Sequence, residues 1–182
     1  MTQVLVLTGF GINCERETAH AFQKAGGEPL FVHLNDLIEK PDYLDKSKVF
    51  AIPGGFSFGD DIASGKILAN RIRYRLEKPI QKFIQDGKLI IGICNGFQVM
   101  VKMGILPLFN HEFKQCVTLT NNNSGRFEDR WVHLKINTVS PCIWTKGIEQ
   151  IDLPVRHGEG KFITKDAAIL SQLKTNQQIV LQ

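Results

Sequence analysis

Leu89-Ile90-Ile91-Gly92-Ile93-Cys94-Asn95-Gly96-Phe97-Gln98 is the stretch on which the fold turns: an apolar run passes into Gly-x-Cys-x-Gly and then into a helical pattern. A sharp strand-to-helix turn forces the residue at its apex into a strained backbone conformation, and glycine two residues to either side removes Cβ atoms that would otherwise collide. This is a nucleophile elbow with cysteine in place of serine. It predicts Cys94 at the carboxyl end of a strand, facing the N-terminus of the next helix. Unpaired N–H groups and the positive end of the helix dipole there lower a thiol pKa and stabilise an oxyanion. A cysteine beside an apolar strand is ordinarily an inert packing residue, but the glycine bracket and the strand–turn–helix context argue for a nucleophile at Cys94.

Upstream of the elbow the same alternation repeats. Val4 to Leu7 is an unbroken apolar run ending in Gly9-Phe10-Gly11, as expected of a strand buried on both faces. Asn13 is placed to cap a helix from Glu15 to Ala25, which Gly26-Gly27 stops. Leu30 to Leu34 and Lys48 to Ile52 read as further strands, the second running into the loop Pro53-Gly54-Gly55-Phe56-Ser57-Phe58-Gly59-Asp60-Asp61. Pro79 to Asp86 reads as a short helix with proline in its first turn, Lys88 to Ile93 as the strand before the elbow, and Asn95 to Met103 as a helix closed by Gly104. Alternating strands and helices predict an α/β fold, an open and mostly parallel sheet with helices on both faces. Beyond Pro107 the runs Gln115 to Leu119 and Trp131 to Ile136, separated by Asn121-Asn122-Asn123-Ser124-Gly125, predict an antiparallel extension of the same domain.

A chain of 182 residues suits one compact domain, and 43% hydrophobic with 22% charged residues excludes intrinsic disorder as a description of the whole. The net charge of +4 is mildly basic, and the cluster Lys66, Arg71, Arg73, Arg75 and Lys78 reads as a solvated helix face. No apolar stretch is long enough to span a membrane, and the N-terminus reads as a first strand rather than a signal peptide. Cys14, Cys94, Cys116 and Cys142 match neither a zinc-ligand spacing nor a disulfide framework, which points to a reducing, cytoplasmic setting. Cys116 and Cys142 are assigned to packing, and Cys14 stands at a helix start near the same sheet edge as the elbow. Gly9-Phe10-Gly11 invites a dinucleotide reading, but Cys14 occupies the third glycine position and the fingerprint is incomplete.

Gly92-Ile93-Cys94-Asn95-Gly96-Phe97-Gln98 resembles the nucleophile motif of class I glutamine amidotransferases, a flavodoxin-like family, and Pro53 to Asp60 resembles their oxyanion loop. Within that class three further segments, Gly11 to Thr18, Asn122 to Phe127 and His157-Gly158-Glu159-Gly160, resemble in order the signatures of the glutaminase subunits of phosphoribosylformylglycinamidine synthases. The resemblance extends over almost the whole chain. It implies that Cys94 attacks the carboxamide of glutamine, giving a glutamyl thioester and ammonia, while backbone N–H groups of Gly55 and Asn95 hold the oxyanion. Gln98 and the backbone around His157-Gly158 are implied to line the glutamine pocket. The implied partners are a large synthetase subunit, which uses ATP and magnesium to make the amidine in purine biosynthesis, and a small accessory subunit. No metal, nucleotide or nucleic acid is expected on this chain.

The family completes its triad with a His-Pro-Glu motif, and this sequence contains none, so a domain lacking its C-terminal portion is expected. His157 and Glu159 have the His-x-Glu spacing, and residues two apart on a strand share a face, so they stand as an alternative base and orienter. His20, His33, His111 and His133 are expected in solvated or satisfied roles. Two other functions stay open: a different cysteine hydrolase on the same elbow, and a non-catalytic subunit that stabilises the synthetase.

Overall fold

The computed structural model describes residues 1–110 and 112–182; His111 lies outside the described residues. The chain divides into two compact units, Met1–Gln115 and Cys116–Gln182.

The first unit is an α/β sandwich. In chain order it contains β1 (Thr2–Thr8), α1 (Glu15–Lys24), β2 (Gly27–His33), α2 (Leu34–Glu39), α3 (Asp42–Lys46), β3 (Val49–Ile52), a 3-10 turn at Ser57–Asp60, α4 (Lys66–Gln85), β4 (Leu89–Gly92) and α5 (Asn95–Met103). The four strands are all parallel in the order β2-β1-β3-β4. Val4 to Leu7 and Val49 to Ile52, on the two central strands, are buried throughout, which is why both read as unbroken apolar runs. Edge strand β4 is only half-buried. The crossover from β1 to β2 steps one way across the sheet and that from β3 to β4 the other. With right-handed crossovers this puts α1 and α4 on opposite faces. The direction reverses between β1 and β3, and at such a switch point the loops at the carboxyl edge part to leave a crevice.

Several boundaries differ from the sequence reading. Pro79 does not open a short helix; it lies inside the 20-residue α4. Leu68, Ala69, Ile72, Leu76, Ile80 and Phe83 form one buried stripe along α4. Burying large side chains at about 1.5–3 kcal/mol each outweighs the ~3 kcal/mol penalty of an interior proline. Pro79→Ala is therefore expected to raise stability by about 1–2 kcal/mol, part of the gain being offset by a more flexible unfolded chain. A urea midpoint at or below the wild-type value would contradict it. Asn13 does not cap α1: the N-cap is Cys14, without a side-chain cap bond. Leu34 leaves β2 to begin α2, where the His33 imidazole accepts from Asn35 N–H at 3.2 Å.

The second unit contains β5 (Val117–Asn121), β6 (Glu128–Lys135), β7 (Gln150–His157), β8 (Glu159–Thr164) and α6 (Ala167–Thr175). Its strands are antiparallel, as the sequence indicated, but they pair as two ribbons, β5 with β8 and β6 with β7. The Asn121–Gly125 segment therefore links strands of different ribbons. Asp166 caps α6, its Oδ1 accepting from Ile169 N–H at 2.9 Å.

Candidate active site

β4 ends at Gly92 and α5 starts at Asn95, so the chain reverses within two residues, and Cys94 stands at the reversal with φ 54° and ψ −113°. That conformation is strained for any residue but glycine. The Cys94 carbonyl accepts from Phe97 N–H at 3.0 Å and Gln98 N–H at 3.2 Å, which ties the apex into the first helical turn. The Cys94 residue itself is exposed. The two glycines are required by close backbone approach. A Cβ on Gly96 would collide with the Ile52 carbonyl oxygen, and one on Gly92 would lie 2.6 Å from both the Gly96 carbonyl and Met100 Sδ.

Facing the elbow is the loop that leaves β3. A Cβ on Gly54 would lie 3.3 Å from Cys94 Cβ and 3.6 Å from Cys14 Sγ, so this loop passes directly beside both cysteine side chains. Gly55 forms an isolated antiparallel bridge with Ile12, bounded by Asn13 N–H to Gly54 O at 3.3 Å and Phe56 N–H to Gly11 O at 2.9 Å. In such a non-hydrogen-bonded pair the Gly55 N–H points away from Ile12. Asn95, as the first residue of α5, has an N–H with no intrahelical acceptor. The elbow region thus presents an exposed cysteine, Cys94, and two backbone amides, from Gly55 and Asn95, whose local secondary structure does not consume them.

The Asn95 side chain is buried and joins the loop to the helix. Its Oδ1 accepts from Ser57 N–H (3.1 Å) and Ser57 Oγ (2.6 Å), and its Nδ2 donates to Asp60 Oδ1 (3.1 Å) and Gln98 Oε1 (3.0 Å). Gln98 is thereby held on the exit of the elbow. Ser57 and Asp60 were legible only as loop residues, because their partner lies more than thirty positions away. Arg71 also departs from the expected solvated helix face. Its guanidinium lies 5.0 Å from the ring of Phe10 and 5.6 Å from that of Phe58, and these two rings stack at 4.6 Å. Cys14 donates its S–H to Asn13 Oδ1 at 3.3 Å, and burial, followed by the charges of Glu17, Cys94 and Glu15, pushes its pKa up.

His157 and Gly158 belong to the second unit. His157 ends β7 and Glu159 begins β8, with a bend at Gly158 between them. The two residues thus lie on strands of different ribbons, and the shared-face argument for a His157–Glu159 pair does not hold. His157 Nδ1 lies 3.0 Å from Asn122 Oδ1, and Asn122 Nδ2 donates to His157 O at 2.8 Å. Asn122 therefore fills the position that an orienting carboxylate would take. The His157 ring also packs over Gly160, where a Cβ would strike it. Elsewhere His133 pairs with Asp152 at 2.6 Å on an exposed ribbon, His20 is exposed, and Cys116 is buried. Among the described residues no cluster of three or more His, Cys, Asp or Glu could hold a metal ion.

The whole chain, residues 1–182, matches the family described as CobB/CobQ-like glutamine amidotransferase domain. It is 50% identical over 161 residues to the phosphoribosylformylglycinamidine synthase subunit PurQ of Dehalococcoides mccartyi, covering 88% of this chain and 63% of that protein. It is 48% identical over 179 residues to the subunit of the same name from Methanococcus maripaludis, covering 98% of this chain and 65% of that protein. The chain thus spans somewhat less than two thirds of the length of these curated relatives. Among solved structures it is similar to PurLQS from Thermotoga maritima, with a TM-score of 0.71 and 34% identity over 91% of this chain and 71% of that one.

Proposed function

Because the chain belongs to the CobB/CobQ-like glutamine amidotransferase domain family, we propose that it is the glutaminase component of a phosphoribosylformylglycinamidine synthase. It would release ammonia from glutamine for a synthetase partner that makes formylglycinamidine ribonucleotide. The observation that carries this reading is the strained, exposed Cys94 beside the glycine loop, with the amides of Gly55 and Asn95 left over by their own secondary structure.

The chemistry follows from that arrangement. The Cys94 thiolate adds to the carboxamide carbon of glutamine, and the developing oxyanion takes hydrogen bonds from the Gly55 and Asn95 N–H groups. Collapse of the tetrahedral species breaks the C–N bond; the nitrogen leaves as ammonia once protonated, and the γ-acyl group stays on sulfur as a thioester. Water then adds to the thioester, releasing glutamate and returning the thiol. Gln98, His157 and Gly158 are assigned to holding glutamine, on the strength of the family resemblance. ATP and magnesium belong to the synthetase, a small accessory subunit completes the assembly, and the setting is cytoplasmic. No helix among the described residues is long and apolar enough to cross a membrane.

The test is release of glutamate from glutamine by the intact protein, with and without the synthetase. Glutamine turnover that rises on adding the synthetase supports the reading; turnover of simple esters with none of glutamine points to another cysteine hydrolase. Inactive protein that still binds the synthetase tightly points to a stabilising subunit. His157→Ala is expected to raise KM for glutamine more than it lowers kcat, because the Asn122 contact suits a fixed binding residue better than a base. A fall in kcat of about 10²-fold or more with unchanged KM would make His157 the base instead.

A further inference from the structure

The two backbone donors assigned above to the oxyanion come from different elements, Gly55 from the loop after β3 and Asn95 from the start of α5, and something must fix the distance between them. The Asn95 side chain, only 2% exposed, is placed to do so. A primary amide has two N–H donors and a carbonyl oxygen with two lone pairs, and here all four are engaged. Ser57 N–H and Ser57 Oγ both donate to Oδ1, and Nδ2 donates to Asp60 and Gln98. Asp60 Oδ1 in turn accepts from Gly65 N–H at 2.9 Å, which ties the network to the start of α4.

The loop has a backbone that does not hold its shape unaided. Phe58, Gly59 and Asp60 are three consecutive residues with positive φ, at 54°, 68° and 53°, two of them not glycine. Such a run is costly for residues that carry a Cβ and persists where surrounding contacts over-determine it. The contacts are the Asn95 network on one side and the Phe58–Phe10–Arg71 stack on the other. A buried network with every member paired holds one geometry, since any rearrangement strands a polar group away from water.

We infer that Ser57, Asp60 and the Asn95 side chain form a clamp that sets the spacing of the Gly55 and Asn95 amides, making Ser57 and Asp60 positioning residues for the tetrahedral intermediate. This rests on the glutaminase reading. Ser57 and Asp60 touch neither glutamine nor the thiol; they act through the two amides and, by way of the Asn95 side chain, through Gln98, so their loss weakens binding of a tetrahedral adduct while leaving the thiol's bare reactivity in place.

The test compares two reagents on the intact protein. Glutamate γ-semialdehyde adds to a thiolate to give a tetrahedral hemithioacetal, whose oxygen needs both amides, whereas iodoacetamide alkylates by displacement at an sp³ carbon and needs neither. Ser57→Ala is expected to weaken semialdehyde binding about tenfold while the iodoacetamide rate stays within about twofold. Asp60→Ala, at the half-buried end of the network, should give the same split and serves if Ser57→Ala fails to fold. Asp60→Asn keeps an acceptor oxygen and should restore near-wild-type binding. Unchanged semialdehyde affinity in both alanine variants overturns the clamp alone. Wild-type protein that is alkylated normally but binds no semialdehyde overturns the glutaminase reading, and the clamp with it.

Discussion

On the proposed glutaminase reading, Cys94→Ala is expected to abolish glutamine-dependent synthesis by the intact, partnered protein, by about 10⁴-fold or more, while synthesis fed with free ammonia continues. The substitution removes the sulfur and nothing else. Alanine accepts the strained backbone of the elbow no worse than cysteine, so the fold and the docking of the synthetase should persist, and the ammonia-driven reaction reports on both. The neighbouring thiol is a poor replacement. Cys14 lies against the same loop, but its S–H is already bonded to Asn13, and burial and nearby acidic charge raise its pKa. A raised pKa means less thiolate at neutral pH, and the thiolate is the nucleophile. Glutamate release that survives in the variant, measured with ammonia-dependent synthesis as the control, would remove Cys94 from the mechanism.

Gly96→Val should be the most damaging single change to the fold, costing more than about 3 kcal/mol and lowering the melting temperature by roughly 10 °C. A Cβ at Gly96 would strike the Ile52 carbonyl oxygen and lie 2.7 Å from Ile52 C and 3.0 Å from Pro53 O. These are backbone atoms at the end of a central, fully buried strand, and they have nowhere to retreat. Relief requires α5 to lift off the sheet, which would pull Val99, Met100 and Met103 out of the core. A valine adds two methyl groups to that collision. Gly92→Val meets the flexible Met100 side chain as well as the Gly96 backbone, and a methionine can re-pack, so a smaller cost is expected there. Thermal melts of both variants decide the matter; wild-type behaviour in Gly96→Val would mean that the strand and helix do not approach so closely.

The elbow was readable because everything that defines it is local. An apolar strand, a glycine two residues on either side of Cys94 and a helical run closed by Gly104 lie within sixteen residues, and the strain at Cys94 follows from that order. The helix from Asn95 to Met103 came out with both ends as read. The same locality misled at Pro79. Proline reads as a helix start in a short window, and only the buried stripe from Leu68 to Phe83 shows why the helix runs through it. His157 and Glu159 give a similar case, since their spacing suggests one strand face and the bend at Gly158 sends them to different ribbons.

By itself the sequence determined the alternation of strands and helices, the position of the elbow cysteine and the glycines that make room for it, since backbone sterics and apolar periodicity act over a few residues. Tertiary structure alone decided the strand order β2-β1-β3-β4, the burial of Asn95 beneath a loop 38 residues upstream, the stacking of Arg71 on Phe10 and Phe58, and the pairing of His157 with Asn122 across 35 residues. A polar side chain is free to bond to water or to any donor or acceptor within about 3 Å, so its residue type carries no record of which distant partner the fold will bring to it.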